Sequence, residues 1–142
     1  MLKQLLFAWC LMAVCVTIHA VGVTAAGRRL GRDVSGRFWP RNWTLMRLAA
    51  WIIVIHFAEI FAFALFYTLQ DALPDMAAAL YFSAVTYTTT GYGDLVLPAQ
   101  WRLVGAVEAL TGILMCGWST GFFVAVIGRL LGTRTSAGAS RV

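Results

Sequence analysis

The chain has 142 residues, of which 61% are hydrophobic and 12% charged, and its formal net charge is +5. That composition excludes an ordinary soluble domain of this length and points to a membrane protein. Three cysteines, Cys10, Cys15 and Cys116, all lie in apolar stretches, so a disulfide framework is not expected.

Gln4 to Gly27 carries no acid or base. A run of 24 uncharged residues exceeds the ~20 needed to cross ~30 Å of hydrocarbon as a helix. A lysine, an apolar run and small residues near its end also fit the outline of a secretory signal peptide. The run is long for a signal core, and a retained first helix (residues 1–27) is expected. Cys10 and Cys15 are five apart and share no helix face, which argues against a metal pair. His19, alone in this span, reads as a packing or interfacial residue.

Residues 28–47 hold Arg28, Arg29, Arg32, Arg37, Arg41 and Arg47 against Asp33. GRRLGRDVSGRFWPRN is aperiodic and ends in Pro40 and Asn42, so it reads as an interfacial loop with Phe38, Trp39 and Trp43 as belt aromatics. It lacks the regularly spaced arginines along an apolar span that a voltage sensor needs. Beside two spans, such a cluster is a topology signal rather than a nucleic-acid patch. By the positive-inside rule this loop and the C-terminus face the cytoplasm, and the N-terminus faces outside.

Leu48 to Gln70 is the second span, interrupted only by His56 and Glu59; Leu103 to Gly128 is the third, interrupted only by Glu108. Between them, Pro74 and Asp75 open AAALYFSAVTY, since proline at the first helical position with an acid beside it marks a helix start. The run to Tyr87 is about 20 Å of helix, too short to span. TTTGYGD follows at once, which predicts a re-entrant segment: lipid tolerates irregular backbone only where protein buries it or water fills it. The tail from Gly132 (residues 132–142) is short and rich in small residues, and is expected to be disordered.

Thr88-Thr89-Thr90-Gly91-Tyr92-Gly93-Asp94 resembles the selectivity filter of the potassium channel pore-domain family. ALYFSAVTYTTTGYGDL and WRLVGAVEALTGILMCGWST extend the resemblance to small prokaryotic channels with a helix added before the pore unit, covering residues 48–131. The family implies an all-α membrane protein in which an outer helix, pore helix, filter and inner helix assemble as a homotetramer. It implies K⁺ as the permeant ion and no other cofactor. Carbonyls of Thr89, Thr90, Gly91 and Tyr92, with the Thr89 hydroxyl, would replace the ion's water, a mechanism established for such filters. Gly91 and Gly93 take φ > 0 without steric cost. Asp94 would gather cations at the mouth. Thr88, Tyr81, Phe82 and Glu108 would support the filter. Thr90 stands where Val or Ile is usual, and Phe82 where some members have a Trp that bonds the filter tyrosine.

On the last span Ile113, Cys116, Thr120, Val124 and Gly128 are three to four apart and form one uncharged stripe. In the resemblance this stripe lines the cavity and gate, and Gly112 marks a bend, while Gly112, Gly117 and Gly121 equally suit close helix packing. His56 and Glu59, three apart on one face, read as a buried hydrogen-bonded pair. They could be half of a metal site, but no second matching pair is visible. Glu108 faces away from the stripe, with Thr86, Tyr87 or the His56–Glu59 pair as candidate partners. No acid, base and nucleophile can be read together in an accessible pocket, so no enzyme is expected. The expected function is passive potassium conduction without a voltage sensor or ligand-binding domain. A non-selective cation channel of the same fold and a non-conducting membrane accessory subunit are the alternatives.

Overall fold

A computed structural model describes residues 2–30 and 38–139, with side chains described for 2–28 and 42–129. Helix α1 runs Leu2–Leu30, α2 Phe38–Leu69, α3 Met76–Tyr87 and α4 Arg102–Ala139, and a 3₁₀ turn at Ala99–Trp101 leads into α4. Among the described residues there is no strand. Three segments, Leu2–Arg28, Asn42–Leu69 and Ala99–Arg129, are long and apolar enough to cross a membrane, whereas Met76–Tyr87 is not. The chain is a multi-pass membrane protein.

The helix ends follow local chemistry. α2 closes in a Schellman motif: Ala72 N–H donates to the Tyr67 carbonyl (2.9 Å) and Asp71 N–H to that of Thr68 (3.2 Å). Asp71 takes φ 46°, the left-handed residue that the motif requires. Four residues on, extended Asp75 caps α3, its Oδ1 accepting from Ala78 N–H at 2.8 Å. The sequence placed Pro74 in the first turn, but the helix begins after Asp75, because the aspartate side chain occupies the capping position. α3 is therefore fixed at its start by a carboxylate and joined to α2 by a short, tied turn.

Two boundaries differ from expectation. α2 begins at Phe38, so Pro40 lies in its first turn, where its missing N–H costs nothing and its fixed φ suits the helix. The expected belt residue Trp43 is exposed on that helix, while Phe38 and Trp39 have no described side chains and residues 31–37 lie outside the described residues. α4 runs past Leu131 to Ala139 instead of giving way to a disordered tail. No proline interrupts that stretch.

α1 packs on α2 and α4, and α3 lies against α2 and α4. One core cluster joins Ala8, Phe63, Phe66, Tyr67, Ala79, Phe82, Trp101 and Val104. Phe66 meets Trp101 edge-on (centroids 5.2 Å) and Phe7 at 5.4 Å, so α1, α2 and the start of α4 are held by aromatic contacts at one end. A second cluster of Ala26, Leu48 and Val126 closes the other end. Ile60, Tyr87 and Met115 form a third cluster that includes the last residue of α3.

Two glycines allow close helix approach. A Cβ on Gly22 of α1 would lie 2.5 Å from Ile55 Cδ1, and Trp51 Nε1–H donates to the Gly22 carbonyl at 2.9 Å. A Cβ on Gly112 would lie 1.9 Å from the Tyr87 carbonyl oxygen. Gly112 therefore lets α4 pass against the C-terminal end of α3, a packing role. Gly117 and Gly121 have open space at the same test, so close packing within the chain does not account for them.

Candidate functional site

α3 ends at Tyr87, and Thr88 caps it: its N–H donates to the Ala84 carbonyl (3.2 Å) and its hydroxyl to the same oxygen (2.8 Å). Two more bonds turn the chain back on the helix end, Thr89 N–H to Thr86 O (2.9 Å) and Gly91 N–H to Val85 O (3.1 Å). The Thr88 and Thr90 hydroxyls bond each other at 2.9 Å. Beyond them the chain is irregular up to the 3₁₀ turn at Ala99.

Within this loop Thr89, Gly91 and Gly93 have φ of 58°, 54° and 77°, while Thr90 and Tyr92 do not have positive φ. The hand of the backbone thus alternates residue by residue. At Gly91 and Gly93 this is cheap. At Thr89, a β-branched residue, it costs about 1–3 kcal/mol and persists only where the surroundings impose it. Thr88 to Asp94 are all exposed, Tyr92 by 71%.

Asp94 is held by Tyr81, whose hydroxyl donates to Oδ2 at 2.7 Å. That bond favours the charged carboxylate and lowers the Asp94 pKa below its ordinary value. Phe82, one of the residues expected to support the filter, packs edge-on against Tyr67 in the core (5.4 Å, 85°). On α4, Ile113, Cys116, Thr120, Val124 and Gly128 are exposed together along one side, opposite the buried Val104, Glu108, Thr111, Met115 and Ser119.

Two polar clusters lie behind the loop. Glu108, fully buried, accepts from Tyr67 Oη at 2.7 Å on Oε2, and its Oε1 lies in a short hydrogen bond with Ser83 Oγ. Ser83 Oγ also lies 2.8 Å from the Ile60 carbonyl. With one hydrogen, Ser83 satisfies both neighbours only if it donates to the Ile60 carbonyl and accepts a hydrogen bond from Glu108. These partners, on α2 and α3, replace Thr86, Tyr87 and the His56–Glu59 pair, because Tyr67 and Ser83 face Glu108 across the helix contacts and Tyr87 is engaged elsewhere.

The second cluster is larger. His56 Nδ1 lies 3.3 Å from Glu59 Oε2 and 3.0 Å from Tyr87 Oη, and Tyr87 also bonds Glu59. His19 of α1, read from sequence as a lone packing residue, is fully buried with Nδ1 2.9 Å from Glu59 Oε1. Ser119 Oγ of α4 lies 3.2 Å from His19 Nε2 and 3.1 Å from His56 Nε2. A histidine and a carboxylate in neighbouring apolar spans each need a partner, a signal that could have joined His19 to Glu59.

Ser119, His19 and Glu59 therefore stand in the bonding order of a hydrolytic triad, a grouping not read from the sequence, but they do so in the interior and not in the accessible pocket that a catalytic reading requires. Ser119 is only 5% exposed and both His19 and Glu59 are fully buried, so the group opens on no pocket that would admit a substrate carbonyl to Oγ.

Residues 50–129 match the protein family described as ion channel. The chain belongs to this ion-channel pore-domain family. The match takes in most of α2, all of α3, the loop and α4 as far as Arg129. Neither a curated protein nor a solved structure matches the chain.

Proposed function

We propose that this ion channel is potassium-selective and that Thr88–Asp94 is its filter. The observation that carries the reading is the alternation of positive φ at Thr89, Gly91 and Gly93. Alternating hand gathers successive peptide N–H groups on one side of a chain and their carbonyls on the other. An extended loop would point neighbouring carbonyls in opposite directions. Carbonyls of Thr89, Thr90, Gly91 and Tyr92, with the Thr89 hydroxyl, would then form stacked oxygen sites that stand in for the water of a bare K⁺.

One chain supplies one side of such a pathway. The exposure of the whole loop, of Tyr92 and of the Ile113–Val124 stripe supports a homotetramer with both surfaces turned to a shared axis. α3 and the loop would enter and leave the membrane on one face, with the C-terminal carbonyls of α3, about half a negative charge, aimed at the central cavity. Arginines flanking the spans support an N-terminus outside and a C-terminus in the cytoplasm of a cell membrane. No catalytic step and no cofactor besides the permeant ion belongs to this reading.

Purified protein in liposomes tests it. A K⁺ gradient should drive flux from an assembly whose mass is four chains. Liposomes with no flux would support the accessory-subunit reading, and equal flux of K⁺ and Na⁺ would support a non-selective channel.

A further inference from the structure

We propose that His19, His56 and Glu59 form a binding site for a zinc-class divalent cation, which ties α1 to the core behind the filter loop. The three side chains bring one ligand atom each to within 4.8 Å of one another, and they come from two different helices. Both imidazole Nδ1 atoms flank the same carboxylate, at 2.9 and 3.3 Å. Ligands on a tetrahedral Zn²⁺ with bonds of about 2.0–2.1 Å stand about 3.3 Å apart, so these separations are already close to a coordination shell. Tyr87 Oη, 3.0 Å from His56 Nδ1 and bonded to Glu59, adjoins two of the three ligands.

Hydrogen accounting leaves room for an added positive charge. If both histidines are neutral with the proton on Nδ1, both Nε2 lone pairs face Ser119 Oγ, which has one hydrogen to give. One contact is then left without a proton. A metal on the two Nδ1 atoms moves both ring protons to Nε2. Both rings then donate to Ser119, whose oxygen has two lone pairs to receive them. That is the outer hydrogen bond that fixes a metal-bound imidazole. An added proton could fill the same deficit, so Zn²⁺ and H⁺ should compete, and binding should release protons. Two imidazoles and a carboxylate suit zinc, nickel or copper rather than the all-oxygen shells of Mg²⁺ or Ca²⁺. Entry is from the His56 side, whose side chain is 17% exposed.

The test uses untagged full-length protein in detergent, stripped with chelator and titrated with Zn²⁺ by calorimetry and elemental analysis. One Zn²⁺ per chain is expected, with two imidazole nitrogens in the X-ray absorption spectrum. His19 and His56 are the only histidines, so that signature reports on them alone. Ser119→Ala keeps the ligands and should weaken binding about 10–100-fold. His19→Gln should lose the two-imidazole signature and the rise in melting temperature that Zn²⁺ gives the wild type. Wild-type protein that takes up no Zn²⁺, binds it through sulfur, or shares its affinity with His19→Gln overturns the site. No ion gradient is involved, so the result stands apart from whether the protein conducts K⁺.

Discussion

The loop from Thr88 to Asp94 and the clusters around Glu59 and Glu108 are both polar and both adjoin the last turns of α3. They differ in where their partners lie. His19, His56, Glu59, Glu108, Ser83 and Ser119 find their hydrogen-bond partners within one chain, and most are fully buried there. The loop carries a left-handed backbone at three alternate positions, and all of its residues from Thr88 to Asp94 are exposed. A chain that invests strain in an exposed loop, while sealing the polar groups behind it, has a rigid support on one side and a surface that needs something else on the other. An ion and neighbouring copies of the chain would supply that.

If the comparison is right, a methyl group should act by different physics in the two regions. Gly91→Ala should abolish selective conduction while leaving folding of the chain nearly intact. Nothing lies within 4 Å of the new Cβ, so its cost is the left-handed backbone alone, roughly 1–2 kcal/mol per chain. Unchanged selective K⁺ flux in this variant would break the filter assignment. Gly112→Ala should do the reverse and lower the melting temperature of the assembly. Its Cβ meets the backbone oxygen of Tyr87, which cannot swing aside, and overpacking typically costs about 1–3 kcal/mol. A stable Gly112→Ala protein would mean that α4 does not pass so close to α3.

Glu108 separates shape from charge in the buried region. Glu108→Gln should be mild, because its oxygen can still accept from Tyr67 and its amide donate to Ser83. Glu108→Ala leaves both hydroxyls without that partner, at about 1–3 kcal/mol, and should be clearly less stable in a thermal melt. Equal damage from both variants, with stability untouched, would point to a cation site instead. The smallest effect is expected at Tyr81→Phe. The Asp94 pKa is lowered by the Tyr81 hydroxyl, so what that bond contributes is present above the ordinary aspartate value and lost as pH falls through the lowered one. Without the hydroxyl, the Asp94 midpoint in a carbon-13 NMR titration should rise toward its ordinary value. An unmoved midpoint would show that the bond does not set it.

The sequence made the three long helices, the short helix near Asp75 and the TTTGYGD string legible, because each rests on local signals: uninterrupted apolar length, a proline with an acid beside it, glycines where positive φ is needed. What it hid depends on how helices are phased against one another. α2 is apolar nearly all round, so periodicity could not say that Glu59 faces His19 forty residues earlier or that Tyr67 faces Glu108. The start of α2 was missed because Pro40 reads as a helix breaker unless it is known to sit in a first turn. Gly112 shows the limit most clearly: hinge and packing are indistinguishable in a string of letters, and only the carbonyl of Tyr87 lying 1.9 Å from a would-be Cβ reveals the packing.

The central claim is that the alternating-hand loop selects potassium. The most direct measurement is the reversal potential of purified wild-type protein in a planar bilayer, with K⁺ on one side and Na⁺ on the other. The account predicts a potential displaced far toward the potassium equilibrium value, and lost in Gly91→Ala. A wild-type reversal potential near zero, with sodium carried as readily as potassium, would contradict it.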